Sequence, residues 1–497
     1  MKGELSLNIF RKPAGADSTG DAIPFYHDGQ YHIYSLMPPV GTTVYPDRLR
    51  TSWYHSVSEN LVDWKPLGVA LAPGEGGSPD ASGVWTGSVL FGEGCYHAFY
   101  TGYNIRNEYQ QTICHAVSRD GIKWEKDPKN PILLPDTRHY EKEDWRDPYA
   151  FYNEKDGCYW LLISARRNSG SVTRRGCIVL YRSHDLMQWE HYGPLYDPNN
   201  IHCPECSEMY RIGENWYLSY SYFSGFVNTV YRVAPSPFGP WRTPKFDGIG
   251  GRRFYAAKSL EDNNGRRFYF GWAHDRAKQS DCGEWYWGGA FCIPHEVVAA
   301  EDGELAVKLP KEYLQKLHTP LPWAFKSMVG DYRMYGSDTV SMHSIGTTAY
   351  GFFELKEKSF LMECTVRPSD CMDCFGLLLK SNRDASKCLM LSFDAAMQRV
   401  SLINLPTKVD PFWEQSSSDI PDPREPGPDG PRVCEKPFPF QSGDQIRIRT
   451  VIDNDMVEIF VGDRIAFTYR SYEKPDYEIG LILQDGNAVY SNISFVK

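Results

Sequence analysis

Short runs of alternating apolar and polar residues, rich in Tyr, Phe and Trp, recur along roughly the first 300 residues of the chain. The clearest are Tyr31-His32-Ile33-Tyr34, Tyr96-His97-Ala98-Phe99-Tyr100, Tyr159-Trp160-Leu161-Leu162-Ile163, Trp216-Tyr217-Leu218-Ser219-Tyr220 and Phe268-Tyr269-Phe270-Gly271-Trp272. A period of two sends successive side chains to opposite faces of a pleated strand, so each run predicts a strand. His27-Asp28-Gly29 and Asn263-Asn264-Gly265 precede two of them and suit hairpin turns. The first three runs are followed by a second strand ending in Ser, a polar turn and a Trp. These are Ser56-Val57-Ser58 to Trp64, Ala116-Val117-Ser118-Arg119-Asp120 to Trp124, and Tyr181-Arg182-Ser183-His184-Asp185 to Trp189. A fourth unit ends at Phe238-Gly239-Pro240-Trp241. The repeat length is about 50 to 65 residues, and five units of four strands would close a five-bladed β-propeller.

Past about residue 300 the repeat stops. Residues 309–317 read as a short helix or linker. Alternating strands such as Phe360-Leu361-Met362-Glu363-Cys364-Thr365-Val366, Gly376-Leu377-Leu378-Leu379 and Met456-Val457-Glu458-Ile459-Phe460-Val461 then read as a β-sandwich. The fold class expected is therefore all-β: a propeller over 1–308, a linker over 309–325 and a sandwich over 326–497. Residues 406–439, rich in Pro and Asp, read as a long loop.

A chain of 497 residues exceeds one ordinary core, which agrees with two large domains. Its net charge of −10, from 53 basic and 63 acidic residues without a basic stripe, argues against nucleic acid as a partner. No apolar run has the length of a membrane span, and Met1 to Lys12 lacks the apolar core of a signal peptide. With 13 scattered Cys, an odd number, the expected location is the cytoplasm with reduced thiols. Cys203-Pro204-Glu205-Cys206 and Cys371-Met372-Asp373-Cys374 are CxxC pairs, but they lie in different expected domains. Structural or site-adjacent thiols are expected there, with no metal and no other cofactor. The aromatic content of 14% suits both large β-cores and sugar binding, in which ring faces cover C–H surfaces.

The candidate chemistry rests on three carboxylates: Asp21, Asp147 in Trp145-Arg146-Asp147-Pro148, and Glu205 in Pro204-Glu205-Cys206. Each lies at or near the start of a different predicted blade, so a propeller would bring them to one funnel. Three such acids suit cleavage of a glycosidic bond. Read alone, Arg146-Asp147 is also an ordinary ion pair at a Pro turn, and Gly20-Asp21 a turn before a strand. Glu143, Asp144 and Glu208 are nearby acids; on an alternating strand Glu208 would face away from Glu205.

Several motifs together resemble glycoside hydrolase family 32, the invertase and fructanase family, over nearly the whole chain. Trp85-Thr86-Gly87-Ser88 resembles its W/F-S-G-S segment, Arg146-Asp147-Pro148 its R-D-P and Glu205-Cys206 its E-C. Phe254-Tyr255-Ala256-Ala257-Lys258 is similar to F-Y-A-S-K, Gly271-Trp272 to the end of W-G-W, and Trp287-Gly288-Gly289-Ala290-Phe291-Cys292-Ile293-Pro294 to W-A-G-A-x-x-L-P. Asp455-Met456-Val457-Glu458-Ile459-Phe460-Val461 is like a strand of the sandwich that follows the propeller in that family. The chain departs from the pattern where the family has N-D-P-N-G and this sequence has Gly20-Asp21-Ala22-Ile23-Pro24, and where a common Gln is Leu36.

The resemblance implies a retaining β-fructofuranosidase acting on sucrose or short fructo-oligosaccharides, a small carbohydrate partner. It implies Asp21 as nucleophile, Glu205 as general acid/base and Asp147 as the acid that binds ring hydroxyls, oriented by Arg146. Trp85, Ser88, Tyr255, Lys258 and Trp287 are expected to line the substrate site with Arg146. Fructosyl transfer, hydrolysis of another furanoside and non-catalytic sugar binding are the alternatives.

Overall fold

The computed structural model describes residues 6–369, 373–407 and 432–497. Contacts divide the chain into two compact units, one formed by residues 9–275 with 286–312 and the other by 1–8, 276–285 and 313–497. Over the stretch expected as a linker, Lys311–Lys316 is helical and the strand Ala324–Val329 has already begun.

The first unit is a five-bladed propeller. Blade 1 comprises Ala22–His27, Gln30–Met37, Ser52–Ser58 and Lys65–Leu71. Blade 2 comprises Gly83–Gly92, Cys95–Tyr103, Gln111–Ser118 and Glu125–Lys126, and blade 3 Arg146–Asn153, Cys158–Arg166, Gly176–Ser183 and Glu190–Tyr196. Blade 5 is built on Tyr255–Glu261, Arg267–Arg276, His295–Ala299 and Leu305–Lys308, with Trp285–Phe291 also paired to its second strand. Blade 4 corrects the expectation of four strands per unit: its sheet holds Glu205–Ile212, Asn215–Tyr222 and Asn228–Ala234. The next segment touches that sheet only through bridges from Val233 to Arg242 and Val230 to Gly248. Pro235, Pro237, Pro240 and Pro244 crowd it, and a prolyl nitrogen has no hydrogen to give a ladder.

Local chemistry explains the repeat. Asp28 and Gly29, both at positive φ, join paired residues His27 and Gln30 in a two-residue hairpin of the kind Asp-Gly favours. After the third strand of blades 1 to 3, an Asn or Asp side chain closes the turn on its own backbone. Asn60 Oδ1 accepts from the N–H groups of Val62 and Asp63, Asp120 Oδ1 from Ile122 and Lys123, and Asp185 Oδ1 from Met187 and Gln188. The Trp after each turn (Trp64, Trp124, Trp189), and Trp241 in blade 4, packs on a core between blades. The inner strands of neighbouring blades pack side by side around the axis, and that of blade 5 meets that of blade 1. Thr19 and Gly289 exchange N–H···O=C bonds of 2.9 and 2.7 Å, which tie the chain before blade 1 to blade 5 and close the ring.

The second unit is a sandwich whose two sheets are continuous through a pair of long strands, Thr339–Glu354 and Tyr477–Val496. Residues 477–484 pair with Cys374–Ser381, and residues 488–496 with Phe360–Pro368 in the other half. The crossing falls at Asp485 and Gly486, both at positive φ, opposite an irregularity between Ser344 and Thr348. Between the sheets lies a core with Phe360, Phe375, Phe393 and Phe495 buried in it. Much of the expected loop over 406–439 falls on residues 408–431, outside the described ones; Arg432–Pro437 is a strand.

Trp160 is wholly buried between blades 3 and 4, and its indole N–H donates to Asp156 at 2.7 Å. Trp160→Ala should cost about 3–5 kcal/mol, read as a lower urea midpoint for the fluorescence transition. A loss below about 1 kcal/mol would contradict the packing described.

Candidate active site

The inner strands share one irregularity at their first residues. In blade 2, Trp85 and Thr86 together oppose Thr101, between the pairs Val84–Gly102 and Gly87–Tyr100. Asp147 and Pro148 oppose Ile163 in blade 3, Cys206 and Ser207 oppose Tyr220 in blade 4, and Ala256 and Ala257 oppose Gly271 in blade 5. Such bulges bend a strand and re-aim its side chains. Asp147, Cys206 and Ala256 are at φ of 57°, 52° and 48°, the left-handed backbone that the extra residue adopts here. In blade 1, Gly20 N–H donates to Leu36 C=O while Leu36 N–H donates to Asp21 C=O, so two residues again face one. Gly20 is required by space, since a Cβ there would lie 2.4 Å from the Trp287 ring.

The bulged ends surround a pocket of about 390 Å³ whose lining includes Asp21, Asp147, Glu205, Tyr255 and Trp287. The three acids predicted from sequence therefore meet at one mouth of the channel. Asp21, 9% exposed, accepts from Trp272 Nε1–H at 2.9 Å through Oδ1 and from the Thr86 hydroxyl through Oδ2, with the Cys206 thiol 3.6 Å from Oδ2. Burial raises its carboxyl to about 6 despite those donors, and the charge of Asp147 adds to the rise. Asp147 Oδ2 accepts from Cys206 N–H at 2.8 Å, and its own N–H donates to Thr101 Oγ1 at 2.8 Å.

Glu205 keeps 19% of its side-chain surface open. Arg146 Nη2 donates to its Oε1 at 2.9 Å and the Tyr255 hydroxyl donates to Oε2. Desolvation dominates and lifts Glu205 to about 7; Arg146 opposes the shift and Asp147 reinforces it. Arg146 was expected to orient Asp147, and its Nε forms an ion pair with that carboxylate at 3.7 Å. The guanidinium also grips Glu205 and Asp144, both more closely, and donates to Gln111 at 3.1 Å. Burial alone would raise Asp144, but Arg146 and Arg166 outweigh it and hold the carboxyl low.

Tyr255 and Trp287 line the pocket as expected, and so does Trp85, stacked on Tyr103 with centroids 4.0 Å apart. Ser88 and Lys258 do not reach it. They follow the bulges on the inner strands of blades 2 and 5 and line a second cavity further down the channel, with Ser88 Oγ accepting from Ala150 N–H. Glu208, fully buried, binds Ser259 N–H and Oγ at 2.9 and 2.6 Å. Alternation does not separate it from Glu205, because the bulge lies between them. Thr86 and Trp272, which hold Asp21, stood inside quoted motifs without a role; His274, packed 4.4 Å from the Trp272 ring, carried no sequence signal. Cys203 lies 3.6 Å from Arg146 and Cys206 beside Asp21, so this CxxC pair flanks the acids. Cys371 lies outside the described residues, and among those described no group of three or more His, Cys, Asp or Glu is arranged to hold a metal.

The N-terminal domain of Glycosyl hydrolases family 32 matches residues 22–310, and the C-terminal domain of the same family matches 335–497. Asp21 sits one residue before the matched stretch. A fructan 1-exohydrolase of Leymus chinensis is 29% identical over 332 residues, 60% of this chain and 52% of that protein. A cell wall β-fructofuranosidase of Pisum sativum is 26% identical over 345 residues, 63% of this chain and 60% of that protein. The chain thus spans about half the length of the first of these relatives. Among solved structures, fructan 1-exohydrolase IIa from Cichorium intybus superposes with a TM-score of 0.71 at 18% identity, over 98% of this chain and 96% of that one. Sucrose-6-phosphate hydrolase from Lactobacillus gasseri does so at 0.70 and 19%, over 97% and 92%. At these identities the structural likeness speaks for the fold.

The hydrogen bonds make a direct prediction. Tyr255→Phe should raise the Glu205 titration above its value of about 7, and Thr86→Val should raise that of Asp21 above about 6. Each lost donor to a carboxylate corresponds to roughly one unit, about 1.4 kcal/mol. Carbon-13 NMR of labelled carboxyl groups measures both; unchanged titrations would show that these hydroxyls do not control the protons.

Proposed function

The chain belongs to glycosyl hydrolase family 32, and on that premise we propose that it is a retaining glycoside hydrolase. Its substrates would carry a terminal β-D-fructofuranosyl unit, as sucrose and short fructo-oligosaccharides do. The observation that carries this reading is the meeting of Asp21, Asp147 and Glu205 at one pocket, with two of them titrating near neutrality. The names of the relatives support the substrate class.

In the proposed mechanism, Glu205 gives its proton to the glycosidic oxygen as the bond to the anomeric carbon breaks. An acid near 7 keeps that proton at the pH of the reaction. Asp21, ionised above about 6, attacks the anomeric carbon and forms a fructosyl ester. Thr86 and Trp272 fix its two oxygens so that attack needs little reorganisation. Glu205, now a carboxylate beside Arg146, takes a proton from water, which adds to the same carbon and frees Asp21. Two displacements leave the anomeric configuration unchanged. Asp147, held by Cys206 N–H through one oxygen, offers the other to sugar hydroxyls, where hydrogen bonds strengthen as charge develops on the ring.

Transfer to a sugar hydroxyl in place of water uses the same three acids. Hydrolysis of a different furanoside is a second reading, favoured by Leu36, which lines the pocket where the family commonly has Gln. Twelve cysteines among the described residues are free thiols, which supports a reducing, cytoplasmic setting for the enzyme. Among those residues no helix is long and apolar enough to cross a membrane.

Incubation with sucrose, inulin-type and levan-type oligosaccharides, followed by NMR, should show β-fructofuranose as the first-formed anomer. Glu205→Gln should lower kcat by about 10²–10⁴-fold. No fructose from any of the three would sink the reading, and an inverted first product would sink the retaining mechanism. A second test is the pH profile. Below about 6 Asp21 takes up a proton and ceases to be a nucleophile; above about 7 Glu205 loses the proton it must donate. The kcat/KM profile for sucrose should therefore be a narrow bell between those values, reported by the pair as apparent constants. A flat profile from pH 5 to 8 would contradict the assignment.

A further inference from the structure

The propeller channel has a second chamber that the proposed reaction leaves unused. It holds about 750 Å³, larger than the acid-lined pocket and within the range of small-molecule sites. Its walls come from later residues of the same inner strands: 23–27 of blade 1, 88–91 of blade 2, 149–152 of blade 3 and 258–261 of blade 5. Asp21 and His27 are six residues apart on an extended chain, so the two sites are separated by up to about 20 Å along the strand direction.

Two features mark the chamber as built for a ligand. The first is aromatic. Phe25, His27, Phe91, Tyr149, Tyr152 and Tyr159, from three adjacent blades, face it. Tyr152 is 52% and Phe91 44% exposed at the rim, Phe91 stacks on His27 at 4.5 Å, and Tyr152 meets Tyr159 at 5.1 Å. Exposed rings of this kind offer flat apolar faces beside hydroxyl groups. The second is Lys258, which is 1% exposed and lines the chamber. Its ammonium makes no hydrogen bond and lies 4.9 Å from the centroid of the Tyr149 ring. A buried ammonium with three donors and no acceptor favours an oxygen-bearing partner.

The charges select among such partners. Lys258 and Arg267 on the wall face Glu93 and Glu261, with Arg267 paired to Glu261 at 2.8 Å and Glu93 accepting from the Tyr159 hydroxyl at 3.2 Å. Both cations also feel the charge of the buried Glu208. Two cations against three carboxylates leave no positive field to draw an anion. They do offer both donors and acceptors, which hydroxyl groups satisfy together.

We propose that this chamber is a second, non-catalytic binding site for a neutral saccharide, with the rim rings stacking on the sugar and Lys258 donating to its oxygens. The proposal stands apart from the catalytic reading and uses none of the three acids.

The test uses the full chain carrying Glu205→Gln, so that sugars stay intact, titrated calorimetrically with 1-kestose, maltotriose and inorganic phosphate. At least one of the two sugars should bind at a site that Phe91→Ala with Tyr152→Ala weakens at least tenfold. Both rim residues are exposed, so that pair should fold. In the otherwise unaltered chain the same pair should leave kcat/KM for sucrose within twofold. Lys258→Met should also weaken the rim-dependent sugar site at least tenfold. The proposal is overturned if neither sugar shows binding sensitive to the rim pair. It is equally overturned if phosphate alone binds in a Lys258-dependent way, which would make this an anion site. Should the chain hydrolyse no fructoside, the catalytic reading fails while the rim comparison still gives its own answer.

Discussion

A pleated strand sends its side chains to the two faces of its sheet, whereas the acids of this protein must meet at the end of a channel. The bulges at the heads of the inner strands resolve that conflict. Two residues standing against one in blades 2, 3, 4 and 5 break the alternation where the strand enters the propeller. Asp147 is itself a bulge residue at positive φ, and Glu205 immediately precedes another. Beyond the bulge regular pairing resumes, and the same strands turn their side chains to the chamber and the cores between blades. The site thus depends on a backbone irregularity repeated around the ring, whose first and last blades are joined by packing of their inner strands and by the Thr19–Gly289 hydrogen bonds.

Within the pocket, burial competes with hydrogen bonding at Asp21 and at Glu205, and the balance differs between the two. Asp21 receives the Thr86 hydroxyl and the Trp272 N–H and still rises to about 6. Glu205 has a guanidinium at 2.9 Å and a phenol, and rises to about 7. Desolvation leads in both, and the like charge of Asp147 pushes in the same direction. The order matters more than the values: the group proposed to donate a proton holds it more tightly than the group proposed to attack. Arg146 keeps that separation narrow, since it favours the ionised form of Glu205 needed in the second half of the proposed reaction.

The channel also separates two kinds of chemistry. At one mouth, the three acids are served by donors from neighbouring blades. Further down, Lys258 and a set of aromatic rings face a larger space whose cations are offset by carboxylates. Both sets arise from the same inner strands, a few residues apart. The ring thereby gives one short stretch of blades 1, 2, 3 and 5 access to two environments.

The sequence by itself determined the strand pattern, because alternation, Asp-Gly hairpins and Ser-x-Asp turns act within a few residues. The prolines after Ala234 were equally legible, although their effect on blade 4 became visible only when its fourth strand was missing. The family motifs pointed to Asp21, Asp147 and Glu205, and the repeat explained how they could meet. What the sequence left open is which way a side chain turns. Ser88 and Lys258 stood in motifs beside the acids yet lie past the bulges, in the other chamber. Arg146 was expected to serve its neighbour Asp147, 3.7 Å away, yet its closer partner is Glu205 of the next blade at 2.9 Å. Bulge position and inter-blade distance settle these partners, and both arise only when five sheets close around one axis. Tertiary structure therefore decided the pairing and protonation of the site, while local periodicity and turn chemistry had already decided the fold.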